Sequence, residues 1–308
     1  MKLEGIHHIT AITGDAPRNV DFYARVLGLR LVKKTVNQDD PTVYHLFYAD
    51  ENASAGADLT FFEYPGAAPG RAGDGMIHRI AHRVGSPAAL DFWERRLAAE
   101  GAGPSRADGA LVFADPEGME HELVVAAVAD EPLIAHSAGI PDEHALQGFD
   151  HVRAYAGDPD RSAPLLADVL GFARTDGGWE ARGDRRGGRY VYDPAAGAGR
   201  PGAGTVHHIA WAVERGEIED WQRHVASSGA ARPTPVIDRF YFRSVYFREP
   251  SGVLFELATL GPGFAVDEPA ETLGEALSLP PDYEHLRDRL EPVLTPLPDT
   301  RPWRRVAV

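Results

Sequence analysis

Cysteine is absent from the 308-residue chain, which excludes disulfides, thiolate metal sites, iron–sulfur clusters and cysteine nucleophiles. Any metal held here must therefore sit on histidine, aspartate or glutamate. No apolar run approaches the roughly 18 residues of a membrane span. The opening MKLEGIHHIT also sets an acid and two histidines where a signal peptide would carry its apolar stretch. The expectation is a cytoplasmic protein with no membrane partner. Lysine is confined to Lys2, Lys33 and Lys34, and the formal net charge is −15. An acid excess on this scale disfavours a polyphosphate backbone, so no nucleic-acid partner is expected. What remains is 44% hydrophobic and 25% charged, the balance of a globular chain long enough for about two domains at roughly 150 residues each.

One order recurs four times: strand, capped helix, glycine, further strands. The first pass runs from Ile6-His7-His8-Ile9-Thr10 through an Asp15 cap with Pro17 in the first turn to Gly28, and closes on LTFFEYP at 59–65. The second runs from Ile77-His78-Arg79-Ile80 through a Ser86 cap to Gly101 and closes on DPEGMEHELV at 115–124. The third begins at Phe149-Asp150-His151-Val152, stops its helix at Gly171 and closes on RYVYDP at 189–194. The fourth begins at Val206-His207-His208-Ile209, stops at Gly229 and closes on EPSGVLFEL at 249–257. Residues 60–81 match 189–210 without a gap at a constant offset of 129, which argues for internal duplication. An α+β chain of four βαβββ units paired into two domains follows. Its division is an N-terminal domain at 1–130, a linker at 131–147, a C-terminal domain at 148–260, and a tail at 261–308 with one short surface helix around Tyr283–Leu294.

The repeats give the histidines meaning that a lone histidine lacks. His8, Arg79, His151 and His208 fall in one first-strand slot, and Glu63, Glu122, Tyr192 and Glu256 in one last-strand slot. Units one and four together supply His8, His208 and Glu256, a two-histidine, one-carboxylate set that suits Fe(II), Mn(II) or Zn(II) and leaves coordination positions open. Units two and three supply Arg79, His151 and Glu122, and a guanidinium cannot ligate a cation. That second site reads as vestigial, with Arg79 paired to Glu122. Glu63 is a candidate fourth ligand if the register keeps it on the Glu256 face. The competing account pairs a buried Glu256 with Arg243 or Arg248 and uses no metal.

HHIT, FYARVLGLRLVKKTVNQDD, LTFFEYPGA, the His207-His208-Ile209-Ala210 strand, DRFYFRSVYFREPSGVLFELAT and the tail LPPDYEHLRDRLEPVL together resemble the vicinal oxygen chelate superfamily, and within it the hydroquinone-type ring-cleaving dioxygenases. The resemblance implies two vicinal-oxygen-chelate domains. It implies Fe(II), with Mn(II) as the alternative, on His8, His208 and Glu256. It implies a small aromatic diol and O2 as partners in aromatic catabolism, and leaves a homo-oligomer open. The same resemblance marks His7, Thr10, His207, Arg239 and Tyr246 around the ligands, with His207 as an acid/base group and Tyr246 and Arg239 steadying oxygen or a second hydroxyl. Strand alternation supports these unevenly. Thr10 shares the face of His8, where its hydroxyl can touch a ligand, whereas His7 and His207 point away unless a bulge re-aims them. Two rivals are a glyoxalase-like metal-dependent isomerase or lyase, favoured by a fourth carboxylate, and a metal-free module that sequesters an aromatic drug.

Overall fold

The computed structural model describes residues 1–305. Each of the four repeats folds into one helical segment and four strands. Unit one holds β1 (Ile6–Thr13), β2 (Arg30–Asn37), β3 (Asp40–Ala49) and β4 (Asp58–Glu63). Unit two holds β5 (Ile77–Val84), β6 (Ser105–Ala107), β7 (Ala110–Ala114) and β8 (Glu120–Val125). Unit three holds β9 (Phe149–Ala156), β10 (Ala173–Thr175), β11 (Gly178–Arg182) and β12 (Gly187–Pro194). Unit four holds β13 (Thr205–Val213), β14 (Ile237–Asp238), β15 (Arg243–Arg248) and β16 (Leu254–Thr259).

The helices begin and end where the local chemistry dictates. Asp15 caps Ala16–Val20 by accepting from the Arg18 N–H, and Ser86 caps Pro87–Ala99 by accepting from the Ala89 N–H. Gly28, Gly101, Gly171 and Gly229 close the four segments at φ between 71° and 76°, the left-handed region a Cβ disfavours. In units one and three the segment continues as a π-turn, Asp21–Val26 and Pro164–Val169. The inward residues Val20, Tyr23, Trp93, Leu97, Leu165, Ile218 and Val225 are all buried in one apolar core.

The sheets do not follow the two sequence halves. One eight-stranded sheet runs β14-β15-β16-β13-β1-β4-β3-β2 and the other β10-β11-β12-β9-β5-β8-β7-β6. Unit one thus pairs with unit four, and unit two with unit three. Residues 64–76 carry the chain from the first sheet to the second, and their duplicate at 195–204 carries it back. The divisions at 130 and 148 separate repeats, while the segment 131–147 joins two units of one sheet.

The two crossovers meet each other. Arg71 and Arg200 exchange backbone hydrogen bonds of 2.8 Å in both directions. A Cβ on Gly73 would come within 2.2 Å of the Gly199 nitrogen, and one on Gly70 within 2.8 Å of the Gly202 nitrogen. The glycines that the duplication repeats are those on which the crossing depends.

The tail forms two separate single turns, Pro281–Glu284 and Arg287–Leu290, rather than one helix. Pro292 bars continuation beyond Glu291. Nor is the tail a surface ornament: Leu279, Leu290 and Leu294 are buried. Asp267 and Glu268 of the tail pair with the fully buried Lys33 of β2.

Candidate metal centre

The first sheet is centred on the antiparallel pair β1–β13, with β16 parallel to β13. His8 lies opposite Ala210, and Ala210 opposite Glu256. The same rung continues to Tyr246 on one side and Asp58 on the other. The small side chain of Ala210 lets His8 and Glu256 meet across it, at 3.2 Å between Nε2 and Oε2. His208, two residues before Ala210 on β13, brings its Nε2 to 2.9 Å from the same oxygen and 3.3 Å from His8 Nε2. All three side chains are buried, and each offers one ligand atom to a common point.

Glu256 Oε1 accepts from the Ser244 hydroxyl at 2.5 Å, while Oε2 has no hydrogen-bond partner among the described residues. Burial alone raises a carboxyl pKa, yet the two imidazoles hold Glu256 well below the usual range. The arginines that might have neutralised it are engaged elsewhere, Arg243 with Glu219 at 2.5 Å and Arg248 with the Gly252 carbonyl at 2.8 Å. Two imidazole nitrogens and an ionised oxygen converging on one point fit a divalent cation.

The residues before the two histidines sit in bulges. Pairing skips His7 between Ile6 and His8, and skips His207 between Val206 and His208. Each bulged ring therefore turns back on its neighbour. His7 Nδ1 lies 2.9 Å from His8 Nδ1, and His207 Nδ1 lies 2.8 Å from His208 Nδ1. His7 Nε2–H donates to the Thr259 carbonyl at 3.2 Å, so its Nδ1 accepts from His8 Nδ1–H and leaves His8 Nε2 with a lone pair for the metal.

The triad lies at the base of a cleft whose wall also carries His45, Phe47, Phe62, Arg239, Phe242 and Tyr246. The β2–β3 turn closes over it: Asp39 receives two hydrogen bonds from the Arg239 guanidinium, at 3.1 and 3.0 Å, and Gln38 donates to the Arg239 carbonyl at 2.8 Å. Phe240, between two cleft residues, holds φ at 67°, a strained conformation for a non-glycine residue that aims Arg239 and Tyr241 inward. Tyr246 stands edge-on to His208, with Arg239 over its ring. Burial and the nearby Glu256 raise the Tyr246 pKa above its ordinary value, so its hydroxyl keeps its proton.

Of the residues marked in the sequence, His8, His208, Glu256, Arg239 and Tyr246 line this cleft, and His7, Thr10 and His207 do not. Thr10 is fully buried, and its hydroxyl accepts from Thr60 at 2.9 Å beneath the wall instead of meeting a ligand. His207 has its Nδ1 committed to His208, out of the cleft. Glu63 is no ligand. Glu256 pairs with the residue two after His208, and the residue two after His8 pairs with Thr60. Glu63 is three residues further on, faces the other way and accepts from Thr295 at 2.8 Å. In unit three the same register selects Val191 rather than Tyr192. His45 of β3, which also lines the cleft, was missed because it is a single histidine with no counterpart in another repeat.

The second sheet repeats the arrangement with an arginine in place of one histidine. Ala81 lies opposite His151 and Glu122, and Arg79 holds the position of His208. Its guanidinium bonds Glu122 at 3.2 Å, and His151 Nε2 reaches Glu122 at 2.9 Å.

The family model for the Glyoxalase/Bleomycin resistance protein/Dioxygenase superfamily matches residues 5–123 and 148–257. The chain belongs to this superfamily. Within it, the chain is 38% identical to "Putative ring-cleaving dioxygenase MhqA" of Bacillus subtilis, over 96% of this chain and 100% of that one. It is 30% identical to chlorohydroquinone/hydroquinone 1,2-dioxygenase of Sphingobium indicum, over 94% and 95% of the two chains. A crystal structure of a "putative dioxygenase" from Bacillus subtilis superposes with a TM-score of 0.88 at 40% identity, covering 96% of this chain and 98% of that one. The superfamily's two matched segments each contain two βαβββ units, and no helix among the described residues is long and apolar enough to cross a membrane.

Proposed function

We propose that the protein is an Fe(II)-dependent dioxygenase that opens a hydroquinone-type ring with O2. The observation that carries this reading is the convergence of His8 Nε2, His208 Nε2 and the unpartnered Glu256 Oε2 at the base of a cleft. The names borne by full-length relatives, ring-cleaving and hydroquinone dioxygenases, supply the substrate class. With Glu63 turned away, the donor set stays at three, which leaves the open face that dioxygen chemistry requires and a four-ligand isomerase site lacks.

When bound, Fe(II) would supply the redox link between the ring and O2 and would acidify a coordinated phenol. The chain's own residues do the rest. His7 and His207 hold the ligand histidines in the tautomer that presents Nε2. Ser244 fixes the Glu256 carboxylate. Phe47, Phe62 and Phe242 line the cleft with apolar surface that accepts an aromatic ring and excludes water. Arg239, held by Asp39, and the protonated Tyr246 present N–H and O–H donors for negative charge that develops on oxygen near His208.

The test is oxygen uptake by anaerobically Fe(II)-loaded protein offered methylhydroquinone and catechol in parallel, with metal-free protein as the control. One O2 consumed per methylhydroquinone opened, and none without metal, is the expected result. Protein that holds one metal and consumes no O2 with either diol would overturn the reading in favour of non-redox chemistry at the same centre.

A further inference from the structure

Among the polar groups on the cleft wall, most are already engaged. Asp39 is tied to Arg239, Gln38 Nε2 to the Arg239 carbonyl and Asn37 Nδ2 to Tyr64. His45 is different. Its ring is held between Phe47 and Phe62, with centroids at 3.9 and 4.4 Å. Its Nε2 lies 2.9 Å from Thr60 Oγ1, and the Thr60 hydroxyl in turn donates to Thr10 at 2.9 Å. With its own proton spent on Thr10, Thr60 offers a lone pair, so the His45 proton resides on Nε2. Nδ1 is left with its lone pair exposed and no hydrogen-bond partner among the described residues. Burial, reinforced by His8 and His208, keeps the ring neutral by driving its pKa well below the ordinary value.

His45 also stands apart from the metal. Between β3, which carries it, and β1, which carries His8, the sheet interposes β4, and β13 and β16, which carry His208 and Glu256, lie further on still. Tyr246, another hydrogen-bonding group of the cleft, belongs to the rung of Glu256 itself. A para-diol held through one oxygen at the triad has a second hydroxyl remote from it, whereas an ortho-diol keeps both oxygens at the metal and leaves a remote acceptor unpaired.

Resting on the para-diol reading above, we propose that His45 selects the substrate, its Nδ1 accepting the hydrogen bond of the hydroxyl remote from the metal. Thr10 and Thr60 then act as positioning residues, because they fix which nitrogen of His45 faces the ligand. Leaving a buried acceptor without its donor weakens binding by about tenfold to a hundredfold, and this is the discrimination His45 would contribute.

The experiment compares anaerobic dissociation constants of hydroquinone and 4-methoxyphenol, whose distal oxygen has no proton to donate, on Fe(II)-loaded wild type, His45→Phe and His45→Gln, with metal content measured on each. Wild type is expected to favour hydroquinone by at least about tenfold. His45→Phe, which keeps the aromatic sleeve filled, is expected to hold its metal and bind both phenols alike, and His45→Gln to recover part of the preference through its amide oxygen. A metal-replete His45→Phe, or His45→Gln if the former does not fold, that retains the full wild-type preference together with full-strength hydroquinone binding would overturn the role of His45 alone. Wild type that binds neither phenol would overturn the para-diol reading and His45's part in it together.

Discussion

Glu256 Oε2 is an ionised oxygen sealed from water, with two imidazole nitrogens close by and no arginine in reach. In Glu256→Gln the carboxylate becomes an amide, and metal retention after gel filtration is expected to fall to background while Ser244 keeps its partner at Oε1. Glu63→Gln should retain a full equivalent of metal, since Glu63 faces Thr295. Metal analysis of the two proteins side by side decides the point, and equal metal in both would dismiss Glu256 as a ligand. The triad was legible in the sequence because duplication placed like residues in like slots. Glu63 was not, because the slot was counted along the strand, and two strands of similar sequence can differ in register without any local sign of it. His45 lacked a repeated partner, and its meaning depends on Thr60, which no motif singles out.

At the scale of the element, the bulges at His7 and His207 matter most. Strand alternation alone sends both rings to the far face, and the skipped pairings at Ile6/His8 and Val206/His208 bring them back against the ligands. His7→Phe and His207→Phe remove the acceptor for the ligand's Nδ1–H, and each is expected to weaken metal affinity by roughly 10- to 100-fold with all three ligands still in place. Competition against a chelator of known affinity measures this, and unchanged affinity would reduce the bulges to a matter of backbone shape. Helix caps and glycine stops could be read in advance because each rests on one residue's chemistry. The π-turns at Asp21–Val26 and Pro164–Val169, and the break in the tail at His285, depend on packing and carry no such signature.

At the scale of the whole molecule, the two sheets are versions of one another, with Arg79 in the place of His208. Arg79→His restores the ligand types of the first site beside His151 and Glu122, and a second equivalent of Zn(II) by titration calorimetry is the expected outcome. A stoichiometry still at one would mean that the second sheet has lost more than a single ligand. The sheets are also stitched together through Tyr23, whose hydroxyl donates to Asp115 at 2.9 Å and lies 3.0 Å from His121, which in turn meets His82 at 3.1 Å. Burial lowers the His82 pKa from 6.5 to about 4. Between these values the unfolded chain binds a proton that the folded chain refuses. The stability His82 contributes is therefore complete above pH 6.5 and is lost as pH falls toward 4, about 3 kcal/mol over the window. Urea unfolding across that range should show a slope shallower by one proton in His82→Gln than in wild type, and parallel slopes would rule His82 out.

The pairing of unit one with unit four imposes an order of construction. Ribosomes release the strand with His8 first, but its sheet partner β13 and the ligands His208 and Glu256 emerge only after two further units have been made. Through that interval β1 presents one open edge, and an open strand edge invites mispairing. The second sheet meets no such delay, since β5 and β9 lie in consecutive units and can close while the fourth unit is still unwritten. A chain cut short between Pro194 and Glu256 therefore has the arginine-filled copy of the site complete and the His8, His208 and Glu256 cluster unfinished, so that such truncated products of translation cannot assemble the triad.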